Sequence, residues 1–194
     1  MLADSSSNTT DNGISGIGFL TVRHHPEQGF FGGYLLINAL ARPLEFHCTL
    51  PVLPTRAQSI LYGRTLPEFI CGEQIGLALT KKARTPAQVV FTDSISVLAL
   101  RRVANLPVIA IELDDAEGDD PAENHRLERP SVLTLPTTRK RIGDLQAVTL
   151  NDYSKELDSI ARWWSESAGN LSLSEPFARV TQALFEAHPA AKAA

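Results

Sequence analysis

The sequence predicts an α/β domain, borderline with α+β, built on a mixed sheet. Three observations carry this: three apolar segments in close succession near the N-terminus, a strand-helix-strand unit in the middle, and amphipathic helices at the C-terminus. The 194 residues are 43% hydrophobic and 21% charged, which excludes a wholly disordered, collagen-like or disulfide-scaffold protein. A chain of this length buries roughly 70% of its unfolded surface, enough for one core. A single domain is therefore expected over 14–188, flanked by a disordered leader at 1–13 and a disordered tail at 189–194.

The apolar segments 16–24, 29–40 and 42–52 read as a strand meander, with His25-Pro26-Glu27-Gln28-Gly29 and 38–42 as its turns. In the third segment Leu44, Phe46, Cys48 and Leu50 alternate with Glu45, His47 and Thr49, the period of a strand with one buried and one wetter face. Pro51 and Pro54 end the meander. A short helix over 55–62, stopped by Gly63, then precedes a longer one over 66–83. Thr65-Leu66-Pro67-Glu68 has capping-box spacing, the Thr hydroxyl accepting from the third helical N–H while Glu68 reaches back. Gly72 and Gly76 share one helix face although each weakens the helix by about 1 kcal/mol relative to alanine. Something must approach that face closely: a packed sheet, or a ligand against the backbone.

Val89-Val90-Phe91 reads as a strand, Thr92-Asp93-Ser94 as a helix start, and 95–104 as a helix stopped by Asn105 and Pro107. With a second strand at 108–113 this is a βαβ unit, whose crossover should be right-handed and whose strands should be parallel. Further strands are expected at 131–135 and 146–150, with a basic turn at 137–141 between them. In 152–167, Tyr153, Leu157, Ile160, Ala161 and Trp164 form an apolar stripe on a polar helix. Ser174 should cap a last helix presenting Phe177, Val180, Ala183 and Leu184, and both helices should pack on the sheet or on a partner.

The net charge of -4 hides an asymmetry: seven acids and no base lie between Glu112 and Glu123, leaving 18 basic and 15 acidic groups elsewhere. The acidity marks an exposed linker over 114–130, and it lacks the alternating acids and central glycine of a calcium loop. Arginine outnumbers lysine 13 to 5, yet the one basic run, Arg139-Lys140-Arg141, has no interleaved aromatics for stacking on bases. No nucleic-acid partner is expected, and no membrane partner, since no apolar run reaches the eighteen or so residues of a span. Two cysteines, Cys48 and Cys71, are too few for a disulfide framework, and the N-terminal residues have neither the basic start nor the apolar run of a secretion signal. Both point to the cytoplasm.

Candidate chemistry centres on Thr92, Asp93 and Ser94, at the carboxyl end of a parallel strand, where open α/β sheets place ligands and where a helix start offers free N–H donors to a phosphate or carboxylate. Glu45 and His47, two apart on one strand face, could work with Asp93 as an acid/base group; these three are the catalytic candidates. Gly16-Ile17-Gly18 and Gly29-Phe30-Phe31-Gly32-Gly33 lie inside the meander and read as turns, bulges or thin spots in the sheet, so no cofactor is expected. His24, His25, His47, Cys48 and Cys71 show no ligand spacing, and His47 and Cys48 point to opposite faces, so no metal is expected. Trp163 and Trp164 are interface candidates, large aromatics at the edge of the helical stripe.

The run Gly33-Tyr34-Leu35-Leu36-Ile37-Asn38, with Arg42 to Thr49, Pro51-Val52, Pro54 to Gln58, Ile60 to Gly63 and Glu73-Gln74-Ile75-Gly76, resembles a segment of uncharacterised bacterial proteins, planctomycete ones among them. The resemblance implies only a bacterial cytoplasmic origin. A hairpin followed by a helix also resembles the start of profilin-like and longin-like scaffolds, from whose antiparallel order the βαβ unit departs. Without a catalytic signature, the expectation is a non-catalytic interaction or assembly subunit with a protein partner or as a homo-oligomer. The alternative is a small-molecule or anion-binding domain, or an enzyme, with its site at Thr92–Ser94.

Overall fold

The computed structural model describes residues 16–113, 128–169 and 171–188. The expected leader at 1–13, the tail at 189–194 and most of the acidic linker, 114–127, lie outside the described residues. Among the described residues seven strands form one mixed sheet: β1 (Gly16–His25), β2 (Gly29–Ile37), β3 (Pro43–Cys48), β4 (Ala87–Thr92), β5 (Val108–Glu112), β6 (Thr137–Ile142) and β7 (Leu145–Leu150). Their order across the sheet is β3-β2-β1-β4-β5-β7-β6.

The meander pairs antiparallel, and β1 and β5 both run parallel to β4. The central strands β1, β4 and β5 are buried along nearly all their length because helices cover both faces of the sheet. On one face Ile17, Phe19, Val89, Phe91, Ile109 and Ile111 meet α5 (Ser154–Trp163), the turn that follows it and α6 (Glu175–Ala187) through Leu157, Trp164, Phe177, Val180 and Leu184. On the other, Leu20, Val22, Val90, Val108 and Ala110 meet the helical segments between β3 and β5 through Ile70, Ile75, Leu79, Leu98 and Leu100.

Those segments begin with α1 (Arg56–Tyr62), capped by Thr55 in a complete capping box with Gln58 and closed by Gly63 at φ 50°. α1 buries none of its residues, and Ile60 and Leu61 face solvent. The following helix is continuous from α2 (Leu66–Glu68) through a π-helical stretch (Phe69–Gly76) to α3 (Leu77–Lys82). The capping box expected at Thr65 does not form: its hydroxyl donates to the Tyr62 carbonyl, and Glu68 is buried and accepts from the Thr134 N–H. Gly72 explains itself by close approach, but to a neighbouring helix rather than the sheet. A Cβ there would stand 2.6 Å from the Leu100 nitrogen. Gly33 plays the corresponding role on the sheet, where a Cβ would meet Val180 of α6 at 2.7 Å.

Several other expectations are corrected. The crossover from β4 to β5 is helical as expected, but as a 3-10 turn (Ile95–Ala99) running into the single turn α4 (Leu100–Val103). Residues 131–135 form no strand, whereas the expected basic turn at 137–141 is the edge strand β6, paired along β7 and closed at Gly143. Charged residues on an edge strand resist pairing with a foreign strand, so a basic run there fits strand as well as turn. The third strand stops at Cys48, leaving Leu50 81% exposed, and Phe46 is exposed because β3 lies at the sheet edge. Ser174 does not cap α6; Ser172 accepts from the Ser174 and Glu175 N–H groups instead. The C-terminal helices do pack on the sheet, and α5 ends in a second π-helical stretch, Trp164–Ala168. Among the described residues no helix is long and apolar enough to cross a membrane.

Candidate functional site

β1 is longer than β4. Their parallel register ends at Leu20 opposite Thr92, so Thr21 to His25 project past the carboxyl end of β4. Side chains alternate along a strand, and Thr21 and Arg23 share the face of Ile17 and Phe19, under α6. The chain leaving β4 brings Asp93 to the same face, where its side chain is completely buried. Thr21 Oγ1 donates to Asp93 Oδ1, and Arg23 Nη2 donates to Asp93 Oδ2 at 2.7 Å. Arg23 is itself nearly saturated: Nη1 donates to Thr21 Oγ1 and the Val22 carbonyl, and Nη2 also donates to Thr181 Oγ1 of α6 at 3.0 Å. A buried ion pair persists only with such extra hydrogen bonds, because desolvating both charges outweighs a bare Coulombic contact.

A second guanidinium reaches the same carboxylate. Beyond the end of β4, Glu128 takes over as neighbour of β1, exchanging two backbone hydrogen bonds with His24. The next residue, Arg129, places Nε 3.6 Å from Asp93 Oδ2 while its side chain stays 30% exposed. The segment that carries it is fastened down: Ser94 Oγ donates to the Pro130 carbonyl at 2.8 Å, Ser96 Oγ to the Val132 carbonyl at 2.6 Å, and Thr134 N–H to Glu68. The end of the expected linker, 128–130, is therefore built into the site.

Of the three expected ligand residues, only Asp93 aims a charged group into this cluster. Thr92 Oγ1 accepts from the Ser94 N–H, and the Ser94 hydroxyl holds the Pro130 segment. The expected helix start is a short 3-10 turn with no side-chain cap, so guanidinium groups rather than helix N–H donors supply the positive charge here.

Glu45 and His47 do not join Asp93. In the register of β2 with β3 they stand opposite Leu36 and Tyr34, residues of the other core face. Nearest neighbours across strands share a face, so the sheet separates them from Asp93, and the three-residue acid/base group is withdrawn. They form a pair of their own, Glu45 Oε2 to His47 Nε2 at 2.9 Å, and Glu45 also accepts from the N–H groups of Arg84 and Thr85 beyond α3. Hydrogen bonds from Thr85, then His47 and the Arg84 backbone, hold the Glu45 carboxyl down at about 2. Burial, with the Glu45 charge second, raises the Tyr34 phenol above its ordinary range, and burial does the same to the Cys71 thiol. Neither group is poised to give up its proton near neutrality.

Trp164 is 3% exposed and edge-on to Phe91 at 5.3 Å, and Trp163 packs half-buried against it. Trp164 thus belongs to this chain's core, and Trp163 is a partly buried residue beside it. No group of three or more His, Cys, Asp or Glu side chains placed to hold a metal ion occurs among the described residues. Sequence reading missed Thr21, Arg23 and Arg129. The available signal was polar Thr21 and Arg23 in line with apolar Ile17 and Phe19 on one strand face.

No protein-family model matches the chain, and neither does any curated protein. Among solved structures it is similar to endonuclease V of Ciona intestinalis in complex with DNA, at a TM-score of 0.39 and 10% identity over 70% of each chain. Two expectations are corrected against that structure, which is a DNA-bound enzyme: the non-catalytic interaction or assembly subunit, and a partner list without nucleic acid. At this level of similarity the likeness transfers neither activity nor substrate.

Proposed function

We propose that this chain is a small-molecule-binding domain that holds an anionic group at the carboxyl end of β1 and β4, with Arg129 as its principal contact. The observation that supports this reading is the convergence of two guanidiniums on one buried carboxylate. Arg23 meets Asp93 at hydrogen-bond distance. Arg129 places its Nε 3.6 Å from the same carboxylate, with its side chain 30% exposed. Its planar fork suits a carboxylate or phosphate, and the crevice beyond the strand ends is where open α/β sheets seat ligands. In this reading Arg23, Thr21 and Asp93 hold position and Arg129 binds.

Calorimetric titration of the full chain with inorganic phosphate, and separately with acetate, tests the reading. Saturable binding to either anion, weakened about tenfold or more in Arg129→Gln, is the expected result, since a charge-assisted hydrogen bond is lost. Binding of neither anion to the unmodified chain overturns it.

A further inference from the structure

His25 closes β1 and is 1% exposed. It shares the strand face of Thr21 and Arg23 and lies two residues, about 7 Å, farther along the strand than Arg23. Its Nδ1 accepts from the backbone N–H groups of Glu27 and Gln28, each at 3.2 Å. A ring nitrogen that accepts carries no proton, so the neutral imidazole holds its proton on Nε2. That Nε2 is buried and has no hydrogen-bond partner. Orphaned buried donors are rare in folded proteins because the desolvation of the N–H goes uncompensated.

The neighbourhood repeats the pattern. His188, at the end of α6, also has a buried Nε2 without a partner, and its ring lies 5.4 Å from that of Phe31. Phe31 is the cross-strand partner of Arg23 on β2. The two orphaned imidazole nitrogens therefore belong to the same end of the same sheet face as the Arg23–Asp93 pair.

We infer that His25 is a recognition residue of this site, donating its Nε2–H to an oxygen of a bound oxyanion; the inference rests on the anion-binding reading above. The tautomer selects the ligand class. With Nδ1 committed to the turn, Nε2 can donate to an acceptor but cannot ligate a cation unless the ring becomes an imidazolate. A metal ion is disfavoured at this atom, and a phosphate or carboxylate oxygen is suited to it.

The test uses the full chain with 15N-labelled histidine, titrated with inorganic phosphate and with acetate. The expected result is a His25 ring protonated on Nε2 alone, whose Nε2–H resonance moves with the calorimetric saturation curve. Response to one anion only supports the inference and chooses between phosphoryl and carboxylate ligands. Two variants separate the two ends of the ring. His25→Asn keeps an acceptor where Nδ1 caps the turn and removes the Nε2 donor, so affinity should fall about tenfold. His25→Gln keeps a donor near the Nε2 position and should fall less. Anion binding that leaves the His25 resonance unmoved and is unchanged in His25→Asn overturns the role of His25 while the Arg129 reading stands. A ring protonated on Nδ1 overturns it as well, even if neither variant folds. Binding of neither anion to the unmodified chain overturns both readings together.

Discussion

Asp93 keeps a buried negative charge at the strand edge because Thr21, Arg23 and Arg129 surround it. Removing Arg23 as Arg23→Met strands much of that charge and should destabilise the fold by about 3–5 kcal/mol, measured by urea denaturation. Adding Asp93→Leu to that variant should recover most of the loss, since a hydrophobic pair can replace a buried ion pair at little cost. Glu45 makes a different contribution. Its hydrogen bonds hold the carboxyl at about 2, below the ordinary glutamate value of 4.5, so the stability it confers is fully present above about pH 4.5 and is lost as the pH falls through about 2. The stability gap between the unmodified chain and Glu45→Gln, followed by denaturation at a series of pH values, should be constant near neutrality and shrink across that window. A gap that grows with acidity would refute the assignment.

At the scale of elements, two threonines ten residues apart look alike in sequence and behave differently. Thr55 accepts from the Gln58 N–H while the Gln58 side chain accepts from the Thr55 N–H; Thr65 makes no cap, and its nominal partner Glu68 is drawn into the interior to hold Thr134. Thr55→Ala should therefore cost about 1 kcal/mol and Thr65→Ala considerably less, compared by thermal melting. Equal losses would mean that the Thr65 hydroxyl stabilises the turn through Tyr62 as strongly as a true cap. Strands whose identity rests on alternation or a buried apolar run were legible, as with β1, β2, β4, β5 and β7. β6 was not: Thr137-Thr138-Arg139-Lys140-Arg141 has the polarity of a turn, and only pairing with β7 makes it a strand. Conversely 131–135 has strand-like composition and forms none; its carbonyl and N–H groups are taken by Ser96 and Glu68.

Across the whole molecule, the segment 128–135 crosses the carboxyl edge of the sheet and is held by side chains from β4's exit turn and α2. Replacing both Ser94 and Ser96 by alanine should speed amide hydrogen exchange at Glu128 and Thr134 by about tenfold or more, while amides of Phe19 and Phe91 in the core keep their protection. Equal acceleration at the core amides would show that this segment and the sheet open as one unit.

The sequence by itself determined the periodic features: a mixed α/β architecture, a meander leading into parallel strands, and amphipathic C-terminal helices whose apolar stripes need a sheet to cover. It also singled out Asp93, because a strand end followed by a helical turn is a local signal. Only the tertiary structure decided what Asp93 meets. Thr21, Arg23 and Arg129 are separated from it by 72, 70 and 36 positions, and their convergence depends on β1 running parallel to β4 and outlasting it. Glu45 and His47 passed to the opposite face for the same kind of reason: which side of a sheet a residue faces is fixed by register with its neighbours, and register is a property of paired strands rather than of any one of them.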